Sequence, residues 1–392
     1  MKLIQRAFLL ILCALNIQNG QKCRLNTRIH FEEPLPIIIK NERLLEPTDR
    51  YGDIEMNYGD TLTLSCEGTG DNIQHPNAQR GLSVATISCE GGEMFKNEEW
   101  LNEPARFSLF KCNSSPEHRS RRTQRTCYDR NPIIEVGYSI GCEFYPVYET
   151  CFNEKPYNSY FQTRVNRPFF TTDEHFGFVP VNSLFSPGGL RAAVQARVGA
   201  VINDYVTKTQ TLSRGHLAAK TDFPLAFGER ATFHYVNCAP QWTGFNGGNW
   251  NTLEVDLRNH IHNAGYDTVI YTGTFGLAQL TSDKGHPVDI HLYIDENNNP
   301  VIPVPLFFYK VVYEPETKKG VAFIGINNPY CTQEEARQMF FCEDVCKDNS
   351  DFSWLSWHPS NPEEGYMFCC TIEDFRRTVT HLPYFQVQGL LT

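Results

Sequence analysis

At 392 residues the chain is too long for one small core and fits one large domain or two. Thirty-five Lys and Arg against 45 Asp and Glu leave a formal charge of −10, which argues against a polyanion-binding surface spread over the whole molecule. The balance is uneven: residues 161–230 hold eight basic and five acidic side chains, a local excess of +3 (8 − 5), while the acidic excess lies in 32–104 and 283–365.

In chain order, Lys2 and Arg6 precede the apolar run Ala7-Phe8-Leu9-Leu10-Ile11-Leu12-Cys13-Ala14-Leu15, which is too short to span a bilayer. This pattern predicts a secretory signal over 1–20 and a mature start near Gln21 or Lys22. No later stretch approaches eighteen uninterrupted apolar residues, so a secreted, extracellular protein with no membrane anchor is expected. Beyond Cys13 there are thirteen cysteines (14 − 1), which in an oxidising compartment implies up to six disulfides and one thiol left over. The clusters 66–127 and 331–370 are expected to be cross-linked mainly within themselves. The adjacent Cys369 and Cys370 must take different partners.

Residues 21–134 lack helical periodicity and contain alternating runs such as Thr61-Leu62-Thr63-Leu64-Ser65-Cys66, broken by Gly, Asn and Pro. They read as a small β-rich, disulfide-stapled domain, with a turn at Gly59-Asp60 and Leu62 and Leu64 on one face. Asn113-Ser114-Ser115 is a glycosylation sequon. Arg119-Ser120-Arg121-Arg122-Thr123-Gln124-Arg125 follows, a solvated basic loop, a nucleic-acid backbone contact or a processing site.

From 135 to 392 strands and helices alternate, which indicates an α+β domain. Strands are expected at 137–140, 145–151, 232–236, 268–273, 304–312 and 322–326. Leu190–Tyr205 has helical spacing with a break at Gly199. Asn249–His262 reads as a helix with Trp250, Leu253, Leu257 and Ile261 on its apolar stripe.

Chemistry concentrates between 213 and 258. Hydrolysing a phosphodiester needs a base for water, a cation to neutralise charge, and donors to hold the phosphate. His216 follows Gly215 and is a proton acceptor at neutral pH. Asn246 lies in a Gly-rich loop before a helix, and an amide oxygen is a hard ligand suited to Mg²⁺. Glu254, one turn into that helix, could order metal-bound water. Cys238, beside Asn237, reads as one end of a disulfide bracing this region. His260 and His262, two apart on a helix, point to different sides and do not make a zinc pair.

The pattern Arg214-Gly215-His216, then Asn237-x-x-Pro240-Gln241, Asn246-x-x-x-Trp250-x-x-Leu253-Glu254 and Arg258, resembles the DNA/RNA non-specific endonucleases of the ββα-metal, or His-Me finger, type, which include bacterial secreted nucleases and mitochondrial endonuclease G. The resemblance runs through Tyr271-Thr272-Gly273, Val304-Pro305 with Lys310, and Phe323 to Asn327, covering about 140–330. The cysteine-rich character and extra N-terminal unit resemble the arthropod digestive or salivary branch.

The resemblance implies a ββα-metal core with a mixed sheet and flanking helices. It implies a Mg²⁺-dependent enzyme, with Mn²⁺ as a substitute, acting on DNA and/or RNA to leave 5′-phosphate ends. It makes His216 the general base, Asn246 the sole protein ligand of the ion, and Glu254 the residue that orders its waters. Asn237 supports the metal loop, Arg258 lies near the phosphate and Arg214 falls on the motif arginine. A further arginine before the motif grips the scissile phosphate, for which Arg164 is the candidate and Arg167 the runner-up. The family's common Asp before Arg-Gly-His is Ser213 here. The alternative reading is a catalytically inactive secreted relative that binds nucleic acid or protein. The sequence leaves oligomeric state, disulfide pairing and strand preference open.

Overall fold

The computed structural model describes residues 22–392 except 69–71, 156–157, 166–185, 296 and 298. The expected signal segment 1–20 and Arg167 therefore lie outside the described residues, and of Arg164 only the backbone is described.

Before residue 119 the described chain is strands and turns, with a six-stranded antiparallel sheet at its centre. Its strand Thr61–Ser65 buries Leu62 and Leu64 on one face, as the alternation requires. Two disulfides, Cys23–Cys89 and Cys66–Cys112, staple this unit. The apolar core beneath it continues through Val136, Tyr138 and Tyr148 to Phe223, Phe227 and Val236, so its strands and the later chain share one hydrophobic interior.

The elements that frame the site are β1 (Arg119–Thr126), β2 (Pro132–Ile140), β3 (Glu143–Asn153), β4 (Asn158–Val165), α1 (Pro187–Val198), β5 (Leu212–His216), α2 (Ala226–Ala231), β6 (Cys238–Trp242), α3 (Asn251–Ala264), β7 (Val269–Phe275), β8 (Phe307–Glu314), β9 (Lys319–Ile326), β10 (Met367–Cys370), α4 (Ile372–Thr378) and β11 (Gly389–Leu390). Nine of them make a mixed sheet in the order β1-β2-β3-β4-β7-β8-β9-β10, all antiparallel, with β11 added parallel to β9. This is the α+β class expected, with both sheet faces covered.

One face carries α3, whose Leu253, Leu257 and Ile261 pack with Ile270, Phe308, Val312 and Phe323. The other carries the C-terminal region, where Ala336, Phe375 and Val379 pack on Tyr309, Val311, Ile324 and Phe368. The neighbours Cys369 and Cys370 project to these opposite faces and pair with Cys346 and Cys342. α1 starts on Ser186, whose Oγ accepts from Gly189 N at 3.1 Å, and stops where Gly199 adopts a φ of 72°.

Three expectations change. The basic run 119–125 is an edge strand in which Arg121 and Arg125 pair with Glu135, and Arg125 also with Glu149. Five disulfides form among the described residues, the fifth being Cys127–Cys151, which leaves Cys142, Cys238 and Cys331 as thiols. Residues 232–236 are not a strand. The chain there makes turns closed by Thr232 Oγ1 donating to Glu229 O and by a 3₁₀ turn at Tyr235–Asn237, and the strand starts at Cys238.

Candidate active site

β5 and β6 pair antiparallel from Leu212 opposite Trp242 to His216 opposite Cys238. The chain then passes through a short helical turn and a π-helical turn, Asn246–Trp250, into α3. This is a two-stranded hairpin followed by a helix, with His216 at the end of the first strand, Asn246 at the start of the turn and Glu254 in the first turn of the helix. Leu217, directly after His216, packs in the same cluster as Phe245, Trp250 and Leu253, which flank Asn246 and Glu254. The apolar packing thus draws the three polar residues onto one unit.

Local sequence explains the close fit. A Cβ on Gly215 would lie 2.2 Å from Gln241 Oε1, so only glycine allows the hairpin to seat the buried Gln241 side chain. A Cβ on Gly248 would meet the Glu364 backbone at 2.7 Å, where Asn249 N donates to Glu364 O at 2.9 Å.

His216 is partly buried, with its ring edge-on to Phe233 at 4.8 Å. Burial, with the positive charges of Arg214 and Lys220, lowers its pKa to about 4, so the imidazole is neutral and able to take a proton at pH 7. Ser213, in the place of the family's aspartate, donates from Oγ to Gln241 O at 2.9 Å, a hairpin bond that brings no negative charge to His216. Arg214 is exposed opposite Pro240.

Asn246 is half-buried, and its side-chain amide makes no hydrogen bond among the described residues. Asn249, three residues on, contrasts with it. Its Nδ2 donates to His358 O at 2.7 Å and Gly365 O at 2.6 Å, and its Oδ1 accepts from His358 N at 2.7 Å. Asn249 is a strut, whereas the Asn246 amide is not engaged by the described protein. The donor set, a hard amide oxygen and a carboxylate two turns further along the same segment, has the chemistry that suits a small divalent cation.

Glu254 has little solvent contact and sits 3.7 Å from Nζ of the buried Lys310. Burial drives its carboxyl up to about 7, although Lys310 and Arg258 pull in the other direction. Arg258 is bound to Asp222, Nη1 to Oδ1 at 2.8 Å, joining the turn that follows His216 to α3. Asn237 is fully buried and also serves the histidine side. Its Nδ2 donates to Ala218 O and Thr232 O, and its Oδ1 accepts from Ala218 N at 2.9 Å.

Arg164 pairs with Ile270 along β4, two positions from the Gln162–Thr272 pair, and Thr272 faces Lys310 across β7 and β8. Position 164 therefore lies on the sheet face that carries Lys310. Cys238 is a free thiol that donates to Tyr235 O at 3.4 Å, and burial pushes its pKa up to about 12, so it is neither the expected disulfide nor a nucleophile. His260 and His262 diverge, one stacked on Trp354 and the other edge-on to Tyr51. Asn113 is exposed.

Lys220 and Asp222 escaped the sequence reading, and Gln241 was visible there only as a motif position with no role. The first two lie four and six residues past His216, a spacing that signals nothing until the turn folds back on α3. Gln241 belongs to the motif, but only the packing gives it a place against Gly215.

A ββα hairpin-helix that carries a neutral histidine, an amide the described protein leaves unengaged and a largely enclosed glutamate has the chemistry that metal-assisted hydrolysis would need. The chain belongs to the DNA/RNA non-specific endonuclease family, whose model matches residues 129–375. It is therefore a nuclease. A salivary endonuclease of Lutzomyia longipalpis is 24% identical over 357 residues, 86% of this chain and 77% of the relative. Salivary protein Tsal2A of Glossina morsitans morsitans is 24% identical over 97% of this chain and 94% of the relative. A chain from a crystal structure of the EndoG/EndoGI complex is 18% identical, with 62% of this chain and 87% of that one covered, at a TM-score of 0.32.

Proposed function

We propose that this chain is a secreted, Mg²⁺-dependent, sugar-non-specific endonuclease that cleaves DNA and/or RNA to 5′-phosphate ends. The observation that carries the reading is the pairing, on one hairpin-helix, of a histidine held neutral at pH 7 with an asparagine amide that nothing in the described protein engages.

His216 takes a proton from water, and the resulting hydroxide attacks phosphorus in line with the departing 3′-oxygen. Asn246 would hold the cation, with Glu254 receiving hydrogen bonds from its water ligands. When bound, the cation neutralises charge that builds on the phosphate and leaving oxygen. Arg164 grips the scissile phosphate and Arg214 adds positive charge beside the base. Asn237 ties the turn after the histidine to the start of the second strand, and Arg258 fastens that turn to α3. Residues 135–392 are read as the catalytic domain and 21–134 as a β-rich unit sharing its core, with β1 and the start of β2 from that unit already forming the edge of the nine-stranded sheet. Five disulfides, the N-terminal apolar run and an exposed Asn113 in a glycosylation sequon support release into an oxidising compartment.

The test is cleavage of plasmid and RNA by purified protein with Mg²⁺ or with EDTA. His216→Ala should lower turnover by about two to four orders of magnitude, the range for losing a positioned base. Plasmid cleavage near the wild-type rate in that variant, or in EDTA, overturns the mechanism. Wild-type protein that binds both substrates and cleaves neither would instead favour the inactive relative.

A further inference from the structure

Lys310 lies in the middle of β8, between β7 and β9, and is 1% exposed. Its Nζ donates to Thr272 Oγ1 at 2.9 Å and lies 5.6 Å from the centre of the Trp250 ring. Among the described residues Glu254 is the one carboxylate within ion-pair distance of it, at 3.7 Å. An ammonium this deep is tolerated only beside compensating charge or lone pairs. Glu254 Oε1, the oxygen that faces it, makes no close hydrogen bond in the described protein, and the Trp250 N–H is a weaker influence than Lys310 in favouring the anion. The contact is thus charge against charge across a short gap, between a central sheet strand and the helix that carries the site.

We propose that Lys310 is a positioning residue for the cation site: its buried ammonium, anchored on Thr272, holds the Glu254 carboxylate in place as an anion and so sets how tightly a divalent cation binds at Asn246. This rests on the reading of Asn246 and Glu254 given above. The physical logic is that burial around Glu254 favours the neutral acid, and a neutral acid is a poor acceptor for metal-bound water. Burial raises the carboxyl to about 7 even with Lys310 present, and Lys310 is the largest influence acting against that rise. Lys310 touches neither water nor phosphate in this scheme and acts through Glu254 alone.

The experiment titrates Mn²⁺ alone, by calorimetry at pH 7.5 and without nucleic acid, into full-length wild type, Lys310→Met, Glu254→Gln and the double variant. Each single change should weaken Mn²⁺ binding by about tenfold, the lower end of the range for losing such a supporting contact. The double variant should bind no more weakly than Glu254→Gln, because Lys310 has nothing left to act through. Wild-type affinity in Lys310→Met overturns the proposal, as does a double variant weaker than Glu254→Gln. If Lys310→Met fails to fold, comparing the double variant with Glu254→Gln decides the matter, since that pair leaves no lone buried carboxylate. Weakened binding in Glu254→Gln with none in Lys310→Met removes this inference and leaves the site standing. Wild-type affinity in Glu254→Gln removes both.

Discussion

Side chains of one type take opposite roles at this site according to what they touch. Asn237, Asn249 and Asn327 are buried and saturated with backbone bonds, Asn327 linking Pro240 O and Pro305 O and receiving Trp242 N, whereas Asn246 is unengaged. The two titratable groups also differ. His216, at about 4, stays neutral from mildly acid pH upward, while Glu254, at about 7, becomes an anion only near neutrality. Cation binding that needs the Glu254 anion must therefore strengthen as pH rises from the ordinary carboxylate range toward 7, and level off above it. The Mg²⁺ concentration for half-maximal cleavage should fall by up to about tenfold per unit between pH 5.5 and 7, the limit for one coupled proton. Titrating Mg²⁺ at four pH values measures this, and an unchanged midpoint across that range would exclude Glu254 as the coupled group. The motif made Asn246 and Glu254 visible in the sequence, but not the difference between Asn246 and Asn249, which depends on backbone arriving from Gly365 and His358.

The helix α3 was legible because its apolar residues recur every three to four positions, and in the structure it runs on to Ala264, where Gly265 ends it with a φ of 76°. Residues 232–236 were misread because β-branched and aromatic side chains in a row mimic a strand, while the deciding bonds, from Thr232 and Asn237, are tertiary or turn-forming. Counting cysteines likewise could not show that Cys238 pairs across the hairpin with His216 and binds Tyr235 O, away from any other sulfur. Between elements, the Asp222–Arg258 contact fastens the histidine turn to α3, with each side chain 15% exposed. Asp222→Asn and Arg258→Gln should each cost about 1–3 kcal/mol, as for a charged hydrogen bond with limited solvent access, and the double variant should cost less than their sum. Denaturant unfolding of the four proteins provides the cycle, and strict additivity would show that the pair is not coupled.

Across the molecule, the junction between the N-terminal strands and the later chain holds a set of buried titratable groups. Burial lowers His118 to about 3 and His234 to about 4, and raises the enclosed Glu229 to about 8. The two depressed histidines contribute stability that is full above about 6.5 and is lost as pH falls toward their folded values. Glu229, raised when folded, has the opposite sign and contributes less as pH climbs from about 4.5 to 8. Between pH 4.5 and 6.5 the balance is two groups against one, so acidification across that window should cost about 3 kcal/mol. Urea unfolding at the two pH values checks it, and stability that is flat or higher at pH 4.5 would show that the junction does not control acid unfolding. The C-terminal clasp has a different kind of outcome. Cys342 and Cys346 stand upstream of an exposed stretch, and Cys369 and Cys370 downstream, bonded from opposite faces of one strand. A protease that nicks the chain within residues 358–363, where exposed side chains predominate, yields two pieces still tethered by two covalent links. Wear at that loop therefore leaves the molecule in one part.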